Sequence, residues 1–421
     1  MLTKAPKGTK DVLPGESGKW QYIESVIRDI CQRFGYSEIR TPVFEHTELF
    51  QRGVGGTTDI VQKEMYTFLD KGNRSITLRP EGTAGVVRSF IENNLYAEAQ
   101  PVKVYYLSAP VFRYERPQAG RFREHHQFGI EAFGSPGPSI DAEVISVALS
   151  LFKSLGITGL ELNINSIGCR ECRPKYNEDL RAYLKINENR LCANCRARMS
   201  TNPLRVLDCK EEGCARIVKE APVMLDYLCG DCAGHFDGLK SRLEAAGIEY
   251  SINPYIVRGL DYYTKTVFEI LAQDIGAKSA VCGGGRYDGL VEEIGGPPTP
   301  GIGFGLGIER LLLTLDSLGI ELPKNPGCNA YVCTVGDKAS VKGFSILSEL
   351  RAAGISAECD HMGRSVKAQL KYANKIGAAW VIIIGDEEME KQAAVVRDMA
   401  NSRETLVPFG ELNDFIKAGQ V

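Results

Sequence analysis

Helical and extended segments follow one another without a strict β-α-β order from the N-terminus to Leu318. The stretch WQYIESVIRDICQRFGY places Trp20, Ile23 and Ile27 on one stripe and ends at Gly35, a pattern that predicts an amphipathic helix. Strand-like segments such as YSEIRTPVF, VKVYYLSAPVFRYE and HHQFGIEAFG lie on either side of a second helical pattern, TAGVVRSFIENNLYAE. This order predicts an α+β fold with a largely antiparallel sheet.

Two changes in composition divide the chain. Residues 169–250 are polar, rich in cysteine and helical in pattern, and strand-like segments return after them, which indicates an insertion. After LGIELPKNPGCNA, at 318–330, strands and helices succeed one another regularly. We predict one domain over 1–326, with the insertion at about 169–250, and a compact α/β domain over 327–421.

Net charge excludes little, whereas hydropathy argues against a secreted or membrane-spanning chain. A formal net charge of −3 and a pI near 6.1 argue against a non-specific coat for nucleic acid or membrane. The N-terminus lacks the apolar core of a signal peptide, and the densest apolar run, AAWVIIIG at 378–385, is too short to span a bilayer. We therefore expect a cytoplasmic protein without membrane association, whose cysteines are metal ligands or buried thiols rather than disulfides.

A cluster of arginines marks the stretch FRYERPQAGRFREHHQFGIEAFG. Arg113, Arg116, Arg121 and Arg123 fall within eleven residues. Against a polyphosphate such groups form charge-assisted hydrogen bonds of roughly 1.5–3 kcal/mol each. The alternative is an exposed basic loop whose arginines pair with neighbouring glutamates for less than about 1 kcal/mol each.

The strand that follows this loop has one unusual face. With a period of two, Gln127, Gly129 and Glu131 point to the same side. Two polar side chains flank a position without a side chain, so a ligand could lie over Gly129. The alternative is a solvated strand face with a glycine at a bulge.

A second glycine pattern occurs in GIGFGLGIERLLLTL, at 301–315. Glycines at every second position leave one strand face bare, and a helix begins at Ile308. Bare backbone admits a flat ring, and the helix start directs N–H groups and Arg310 towards an anion. Close packing of strand on helix is the alternative. The common phosphate-binding patterns GxxxxGK[ST] and GxGxxG after a strand are absent.

The insertion contains four close cysteine pairs, three of the form CxxC and one of the form Cx₄C. These eight residues are Cys169, Cys172, Cys192, Cys195, Cys209, Cys214, Cys229 and Cys232. Their spacing is typical of one or two tetrathiolate zinc sites of structural type. Free thiols or adventitious metal are the alternatives.

Taken together, the ordered motifs resemble bacterial histidyl-tRNA synthetases. SEIRTPVFEHTELF, with Pro42, is similar to motif 1 of class II synthetases, the arginine stretch to motif 2, and GIGFGLGIERL to motif 3. RGLDYYT and CGGGRYDG resemble two segments peculiar to the histidine enzymes. The resemblance extends from KGTKDVLP to the C-terminus. It implies a class II catalytic domain built on an antiparallel sheet and a C-terminal α/β anticodon-binding domain.

The resemblance also implies a reaction. L-Histidine is activated by ATP as a histidyl-adenylate and then transferred to tRNA(His), with Mg²⁺ bridging the β- and γ-phosphates. Arg113 and Arg258 would be catalytic and flank the α-phosphate, where they stabilise charge in the transition state. Motif 1 implies a homodimer. Because zinc is not a general requirement of this family, the metal content of the insertion stays open.

Site residues follow from the same resemblance. Those implied to bind histidine are Glu81, Thr83, Gln127, Glu131, Tyr262, Tyr263 and Tyr287. Those implied to bind ATP are Arg113, Glu115, Arg121 and Arg310. Those implied to face the tRNA acceptor end are Arg116, Gln118 and Arg123. A site that hydrogen-bonds both imidazole nitrogens can reject analogues by roughly 10⁴ or more.

Two other functions share these motifs. One is a catalytically inactive, synthetase-like regulatory subunit of ATP phosphoribosyltransferase, which typically lacks the anticodon domain and the catalytic residues. Here Arg113, Arg258 and Arg310 are present and residues 327–421 follow them. The other is a class II synthetase for a different amino acid, which would not be expected to carry RGLDYYT.

Overall fold

The protein divides into two compact units. A computed structural model describes residues 3–56, 58–118, 120–209, 211–272, 279–323 and 327–419. The units are Met1–Leu322 and Pro323–Val421. The predicted boundary after residue 326 falls outside the described residues.

The first unit combines helices and strands in irregular order. Its described strands are β1 (Ser37–Glu38), β2 (Phe44–His46), β3 (Tyr66–Leu69), β4 (Ser75–Leu78), β5 (Val102–Phe112), β6 (Glu124–Phe133), β7 (Leu160–Ser166), β8 (Ser251–Ile252), β9 (Thr264–Ala272), β10 (Ser279–Arg286) and β11 (Gly301–Gly307). Its described α-helices are α1 (Pro14–Arg33), α2 (Thr47–Gly53), α3 (Thr83–Glu92), α4 (Pro138–Ser154), α5 (Arg173–Ile186), α6 (Ala193–Thr201), α7 (Glu212–Val218), α8 (Gly230–Ala245), α9 (Leu290–Ile294) and α10 (Ile308–Ser317).

A large sheet organises this unit. In the described residues its order is β1-β5-β6-β11-β10-β9-β7-β8, and a smaller sheet has the order β2-β4-β3. The six inner strands of the large sheet are antiparallel, whereas the short edge strands β1 and β8 pair in parallel. The predicted α+β fold with a largely antiparallel sheet is confirmed.

Helices α1, α4 and α8 build the main core with one face of this sheet. The predicted stripe on α1 is confirmed, since Ile23 and Ile27 are fully buried and Trp20 packs against the same core. The helix ends at Arg33, and Gly35 adopts a left-handed φ of 72° just beyond it, as a residue without a β carbon readily does.

The cysteine-rich insertion has a separate core of its own. Tyr176, Leu180 and Leu184 on α5 are fully buried there together with residues of α7. Helix α8 differs, because Phe236 and Leu239 pack into the main core against α4. The segment with its own core is therefore shorter than the range 169–250 that composition marks out.

The second unit is a mixed five-stranded sheet in its described part. Its strands are β12 (Ala330–Thr334), β13 (Ala357–Cys359), β14 (Trp380–Ile384), β15 (Ala393–Asp398) and β16 (Glu404–Pro408). Its helices are α11 (Asp337–Ala352), α12 (Val366–Lys375), α13 (Asp386–Lys391) and α14 (Leu412–Ala418). The order is β13-β12-β14-β15-β16, with the first three strands parallel and the last two antiparallel. Among the described helices of both units, none combines the length and apolar character that crossing a membrane requires.

Candidate active site

The floor of the candidate site is a patch of glycines in the middle of the large sheet. Gly129 on β6 lies opposite Gly305 on β11, which lies opposite Gly283 on β10. In the next row of the same face, Gly303 lies between Glu131 and Gly285. Without β carbons at these positions, side chains from neighbouring elements can lie flat on the sheet.

The space above Gly129 is filled by the ring of Tyr106, which lies opposite it on β5. A β carbon at Gly129 would overlap the phenol ring. Gly82, in the turn before α3, is restricted by the same ring. The expectation that a ligand lies directly over Gly129 is therefore wrong, because a buried tyrosine occupies that position.

The glycines of β11 divide into a covered and an open half. The ring of Tyr287 covers Gly301, and the carboxylate of Glu131 covers Gly303. A β carbon at Gly305 would have its nearest neighbour, Gln127 Nε2, at 3.8 Å, and one at Gly307 would meet only Arg310 Cβ, at 3.9 Å. Only the second half of the strand could admit a flat ring.

Glu131 is the central acidic residue of the site. It is 1% exposed and accepts hydrogen bonds from Thr83 Oγ1, at 2.7 Å, and from the hydroxyl of Tyr287. Burial raises the pKa of Glu131 to about 8, although both hydrogen bonds oppose the rise. The ionised form of this buried carboxylate is stabilised most by a ligand that brings an N–H donor or a positive charge.

Glu81 holds the start of α3. Its two carboxylate oxygens accept the backbone N–H groups of Thr83, at 2.7 Å, and Ala84, at 2.8 Å. These are amide groups that the first turn of a helix cannot satisfy internally. Burial raises the pKa of Glu81, while the two amide hydrogen bonds lower it. Glu81 thereby fixes Thr83, which contacts Glu131.

Three tyrosines form an aromatic wall beside Glu131. The ring centroids of Tyr262 and Tyr263 are 4.7 Å apart, and those of Tyr262 and Tyr287 are 5.6 Å apart. All three are buried, and desolvation raises the pKa of each hydroxyl. The structure thus brings RGLDYYT and CGGGRYDG, which are distant in sequence, to the same carboxylate.

Arg258 lies flat on Gly283. A β carbon there would overlap its guanidinium group, which donates to Glu269 on β9. Burial would lower the pKa of Arg258, but the nearby Glu269 carboxylate reverses the effect and raises it. Arg258 Nε is buried and has no hydrogen-bond partner in the described residues. The arginine is therefore charged, oriented and still able to donate.

Gln127, like Arg258, has a buried polar atom without a hydrogen-bond partner in the described residues. Its Oε1 atom is buried and also lacks a partner among the described residues, and the side chain stands next to Gly305. Buried polar atoms are normally hydrogen-bonded, and one without a partner needs an explanation. An unpaired acceptor and an unpaired donor over one glycine patch indicate a polar ligand.

Arg113 follows β5 and bounds the site on another side. Its Nε donates to Pro80 O at 2.8 Å, and its Nη1 lies 4.0 Å from Glu115 Oε1. Burial and, to a smaller extent, repulsion from Arg113 lower the pKa of His125 to about 4. This imidazole is therefore neutral at physiological pH and adds no second positive charge beside Arg113.

The loop between β5 and β6 folds back as a small hairpin. Gln118 and Arg121 exchange two backbone hydrogen bonds of 2.9 and 3.0 Å. At the tip, a β carbon on Gly120 would lie 4.0 Å from Arg310 Nε. Arg310 itself donates to Ala280 O at 2.7 Å, and burial, followed by repulsion from Arg121, lowers its pKa. The loop and α10 thus bring two arginines together.

The remaining loop residues differ in exposure. Arg116 and Gln118 are exposed. Arg123 is held more firmly, since its guanidinium lies 4.0 Å from the centre of the Tyr114 ring and its Nε donates to Glu115 O at 3.2 Å. Its backbone N–H donates to Gly8 O, which places the N-terminal segment against the loop.

Two residues of the candidate site, Tyr106 and Glu269, were not predicted from the sequence. Both lie on strands next to the glycine-rich strands. Their roles depend on which residues stand opposite one another, namely Tyr106 with Gly129 and Glu269 with Gly283. The clustered glycines were a signal that something covers them, but they did not identify the covering residue.

The cysteines of the insertion form two groups of four. In the first cluster, Cys169, Cys172, Cys229 and Cys232, and in the second cluster, Cys192, Cys195, Cys209 and Cys214, all sulfurs lie within 4.8 Å of one another. Measured Sγ separations are 3.6 Å for Cys169 and Cys172, 3.8 Å for Cys169 and Cys229, and 3.9 Å for Cys192 and Cys209. Backbone N–H groups donate to Sγ of Cys172 and Cys214, each at 3.2 Å.

Comparison with known families agrees with the motifs. Residues 8–311 match the family model described as histidyl-tRNA synthetase, and residues 329–419 match the one described as an anticodon binding domain. Together these matches cover both units and confirm the class II catalytic and anticodon-binding parts of the predicted fold.

Individual relatives give the same result. A protein from Caldanaerobacter subterraneus subsp. tengcongensis named histidine–tRNA ligase is 58% identical, over 99% of this chain and 100% of its own length. One of the same name from Thermoanaerobacter pseudethanolicus is 59% identical over the same shares. The apo structure of S. aureus histidyl-tRNA synthetase superposes with a TM-score of 0.85 at 40% identity, covering 98% of this chain and 99% of that one. The predicted resemblance is confirmed.

Proposed function

The chain belongs to the histidyl-tRNA synthetase family, and from that premise we propose that it ligates L-histidine to tRNA(His) at the expense of ATP, through a histidyl-adenylate. One observation carries the assignment to histidine: the buried carboxyl of Glu131, held between Thr83 and Tyr287. Such a group suits an imidazole, because a hydrogen bond from the ring N–H stabilises a carboxylate that has lost its contact with water.

The histidine side chain lies against the aromatic wall in this proposal. Tyr262, Tyr263 and Tyr287 exclude water around the ring, and Glu131 accepts one imidazole N–H. The unpaired Oε1 of Gln127 is free to accept a hydrogen bond from the α-ammonium group of histidine. Glu81 acts indirectly, because both of its oxygens already hold α3 and thereby place Thr83.

Activation takes place between Arg113 and Arg258. A carboxylate oxygen of histidine attacks the α-phosphorus of ATP, the bond to the β-phosphate oxygen breaks, and pyrophosphate leaves with the bond electrons. The two arginines stabilise the charge that develops on the α-phosphoryl oxygens. Both are already held by protein groups, Arg113 by Pro80 O and Arg258 by Glu269, so little reorganisation is needed.

The remaining parts of ATP bind around the motif 2 loop and α10. Arg121 and Arg310 hold the tail phosphates, and the adenine approaches the sheet over Gly305 and Gly307, where the backbone is open. Mg²⁺ neutralises the β- and γ-phosphates when bound. Glu115, a carboxylate close to Arg113 and Arg121, is an oxygen donor of the kind that this ion accepts.

Transfer to tRNA uses the exposed side of the same loop. A hydroxyl of the terminal ribose attacks the carbonyl carbon of the adenylate, and AMP leaves. Arg116, Gln118 and Arg123 contact the acceptor end, and the second unit contacts the anticodon through polar and basic groups. The arginine cluster thus serves two anions, ATP at its buried end and RNA at its exposed end.

Amino-acid-dependent exchange of pyrophosphate into ATP tests this function. The purified protein is assayed with each of the twenty amino acids in turn. Exchange with histidine alone supports the proposal, and exchange with another amino acid assigns the chain to a different specificity. The regulatory-subunit alternative is not favoured, because the relatives named as ligases match over the full length. It would gain support only if a folded, ATP-binding protein gave no exchange.

A homodimer and a cytoplasmic location complete the proposal. Strand β2, within motif 1, and strand β3, after it, expose apolar side chains, with Phe44 57%, Phe68 47% and Leu69 66% exposed. Such a patch suits an interface between two copies. The thirteen cysteines, all in the described residues, are unpaired, as a reducing compartment favours. Light scattering after gel filtration measures the predicted dimer.

Each cysteine cluster is proposed to hold one structural zinc ion. Zinc–sulfur bonds of about 2.3 Å in a tetrahedron place sulfurs about 3.8 Å apart. The measured separations of 3.6 to 3.9 Å agree with this value. The backbone N–H groups that donate to Cys172 and Cys214 are the partners a thiolate requires. Four thiolate ligands leave no open position, so the metal takes no part in the chemistry.

A further inference from the structure

Two arginines of the insertion donate to backbone carbonyls at the two ends of the segment 258–263. Arg205 Nη1 donates to Arg258 O at 3.2 Å, and Arg173 Nη2 donates to Tyr263 O. The side chain of Asn202 adds a bond of 2.9 Å to Asp261 Oδ1. This segment carries the proposed catalytic arginine and two of the tyrosines beside Glu131.

The insertion also contacts the segment before β3. Arg198 Nη2 donates to Asp59 Oδ2 at 2.5 Å, and Arg205 Nη2 lies 3.6 Å from the same atom. Arg205 therefore links Asp59 with the backbone of Arg258. Its side chain is only 14% exposed, so these contacts are partly desolvated and stronger than surface pairs.

Polar contacts around a cavity form part of this interface, next to the apolar packing of Tyr255 and Val257 on the core of the insertion. A cavity of about 300 Å³ lies between the insertion and the segment, lined among others by Arg173, Arg205 and Asp261. The two arginines therefore constrain the segment at its ends, in addition to Tyr262 and Tyr263, which are buried in a core that includes Tyr287.

The cysteine clusters fix those arginines. Arg173 follows directly after Cys172 of the first cluster, and Arg205 lies between Cys195 and Cys209 of the second. The elements around Arg205 are short, namely α6 with nine residues and a 3₁₀ turn, Pro203–Val206, with four. Helices of this length are not stable on their own. Val206 and Leu207, next to Arg205, are buried in the core of the insertion, and a metal that joins four thiolates would order these elements further.

Resting on the proposed function, we propose that the two cysteine clusters, each with bound zinc, form a clamp on the segment 258–263. Arg173 and Arg205 are its positioning residues, and they place the guanidinium of Arg258 for the activation step. The metals act on catalysis only through these contacts. The clamp thus connects the insertion, which takes no part in the chemistry, with Arg258, which does take part.

Substitutions that leave the metal in place test the positioning role. Arg205→Met keeps the aliphatic stem and removes the donors, while Arg205→Lys keeps one donor. Arg216→Met is the matched control, because Arg216 lies on α7 of the same insertion and is 77% exposed. A misplaced reacting group can cost on the order of 10²-fold in rate. We expect Arg205→Met to lower kcat of pyrophosphate exchange by about tenfold or more, Arg205→Lys to recover part of it, and Arg216→Met to resemble wild type.

A second measurement detects the constraint on the segment 258–263 directly, without an activity assay. Hydrogen–deuterium exchange is measured on peptides covering 254–264, where the Asp261 N–H donates to Val54 O at 3.3 Å. Zinc content is determined for wild type, Arg205→Met and Cys209→Ser. We expect two zinc ions per chain in wild type and Arg205→Met, and one in Cys209→Ser. Amide exchange in 254–264 should be faster in both variants.

The outcomes separate the clamp from the ligase function. The clamp is overturned if Arg205→Met leaves both kcat and amide exchange at wild-type values, or if Cys209→Ser loses zinc without any change in 254–264. Wild-type protein that holds no zinc also overturns it. If wild type shows no histidine-dependent exchange while the amides of 254–264 respond as expected, the proposed function and the catalytic role of the clamp fail, whereas the structural constraint on 258–263 is supported.

Discussion

The ring of Tyr106 lies against the bare α carbon of Gly129, its neighbour across β5 and β6. The tyrosine is 4% exposed, and its hydroxyl side reaches Gly305 in the next strand. Gly129 therefore admits a protein side chain, and the hydroxyl group of that side chain in turn contacts Glu131. The site is built by layers, with glycines below and aromatic rings above.

Gly129→Ala tests this arrangement. The added methyl group must displace the Tyr106 ring or shift β6. We therefore expect the free energy of unfolding to fall by roughly 1–3 kcal/mol and histidine activation to be lost. Gly234→Ala is the control, because nothing lies within 4 Å of a β carbon there and the residue is inside α8. Alanine should be neutral or stabilising at that position. Equal stability and activity of both variants would contradict the account of Gly129.

Tyr287→Phe removes the hydroxyl group that donates to Glu131. An unpaired lone pair on a buried carboxylate costs about 1–3 kcal/mol, so we expect KM for histidine to rise by roughly tenfold. The control is Tyr331→Phe in the second unit, whose buried hydroxyl lacks a partner in the described residues. Steady-state pyrophosphate exchange at varied histidine concentration measures the effect. An unchanged KM in Tyr287→Phe would show that this contact does not shape the histidine pocket.

The raised pKa of Glu131 predicts a pH-dependent stability. Between its ordinary value of about 4.3 and about 8, the folded protein binds a proton that the unfolded chain does not. Stability from this group is therefore present at low pH and lost as pH rises towards 8, by about 1.4 kcal/mol per unit at most. Relative to wild type, Glu131→Gln should gain thermal stability between pH 5.5 and 8.5. An exposed substitution, Glu178→Gln, should show no such trend.

Arg258→Met should lower kcat for exchange by about 10²–10³-fold, the range typical for removal of one group that stabilises the transition state. KM for histidine should change much less, because the guanidinium acts on the phosphoryl group. The variant leaves Glu269 unpaired, so thermal stability is measured alongside to separate misfolding from lost catalysis. Arg33→Met, at an arginine 57% exposed on α1, is the control. A kcat within twofold of wild type would remove Arg258 from the mechanism.

Local sequence patterns predicted helices and strands well where apolar or polar residues repeat with the period of the element. The stripe of Ile23 and Ile27, and the common face of Gln127 and Glu131, follow from helix and strand geometry alone. Strands β15 and β16 were not predicted, because their pattern carries little alternation. The contacts of Tyr106 and Glu269 depend on strand order and register, which no local pattern determines.

The cysteines show the same limit. Their spacing predicts close pairs, yet it cannot determine which pairs meet. In the structure Cys169 lies next to Cys229, 60 residues along the chain, whereas Cys192 lies next to Cys209, only 17 residues along. That pairing depends on the path of α5, α7 and α8, which is set by the packing of the insertion. The clamp on Arg258 could therefore be inferred only from the structure.

Charging of tRNA(His) is the most direct measurement of histidine ligation by this protein. Purified protein is incubated with ATP, Mg²⁺, tRNA(His) and each labelled amino acid, and label in acid-precipitable tRNA is counted, with Glu131→Gln as the paired variant. We expect charging with histidine alone and a large loss of charging in the variant. No histidine on tRNA(His) from folded protein that binds ATP, or efficient charging with another amino acid, would contradict it.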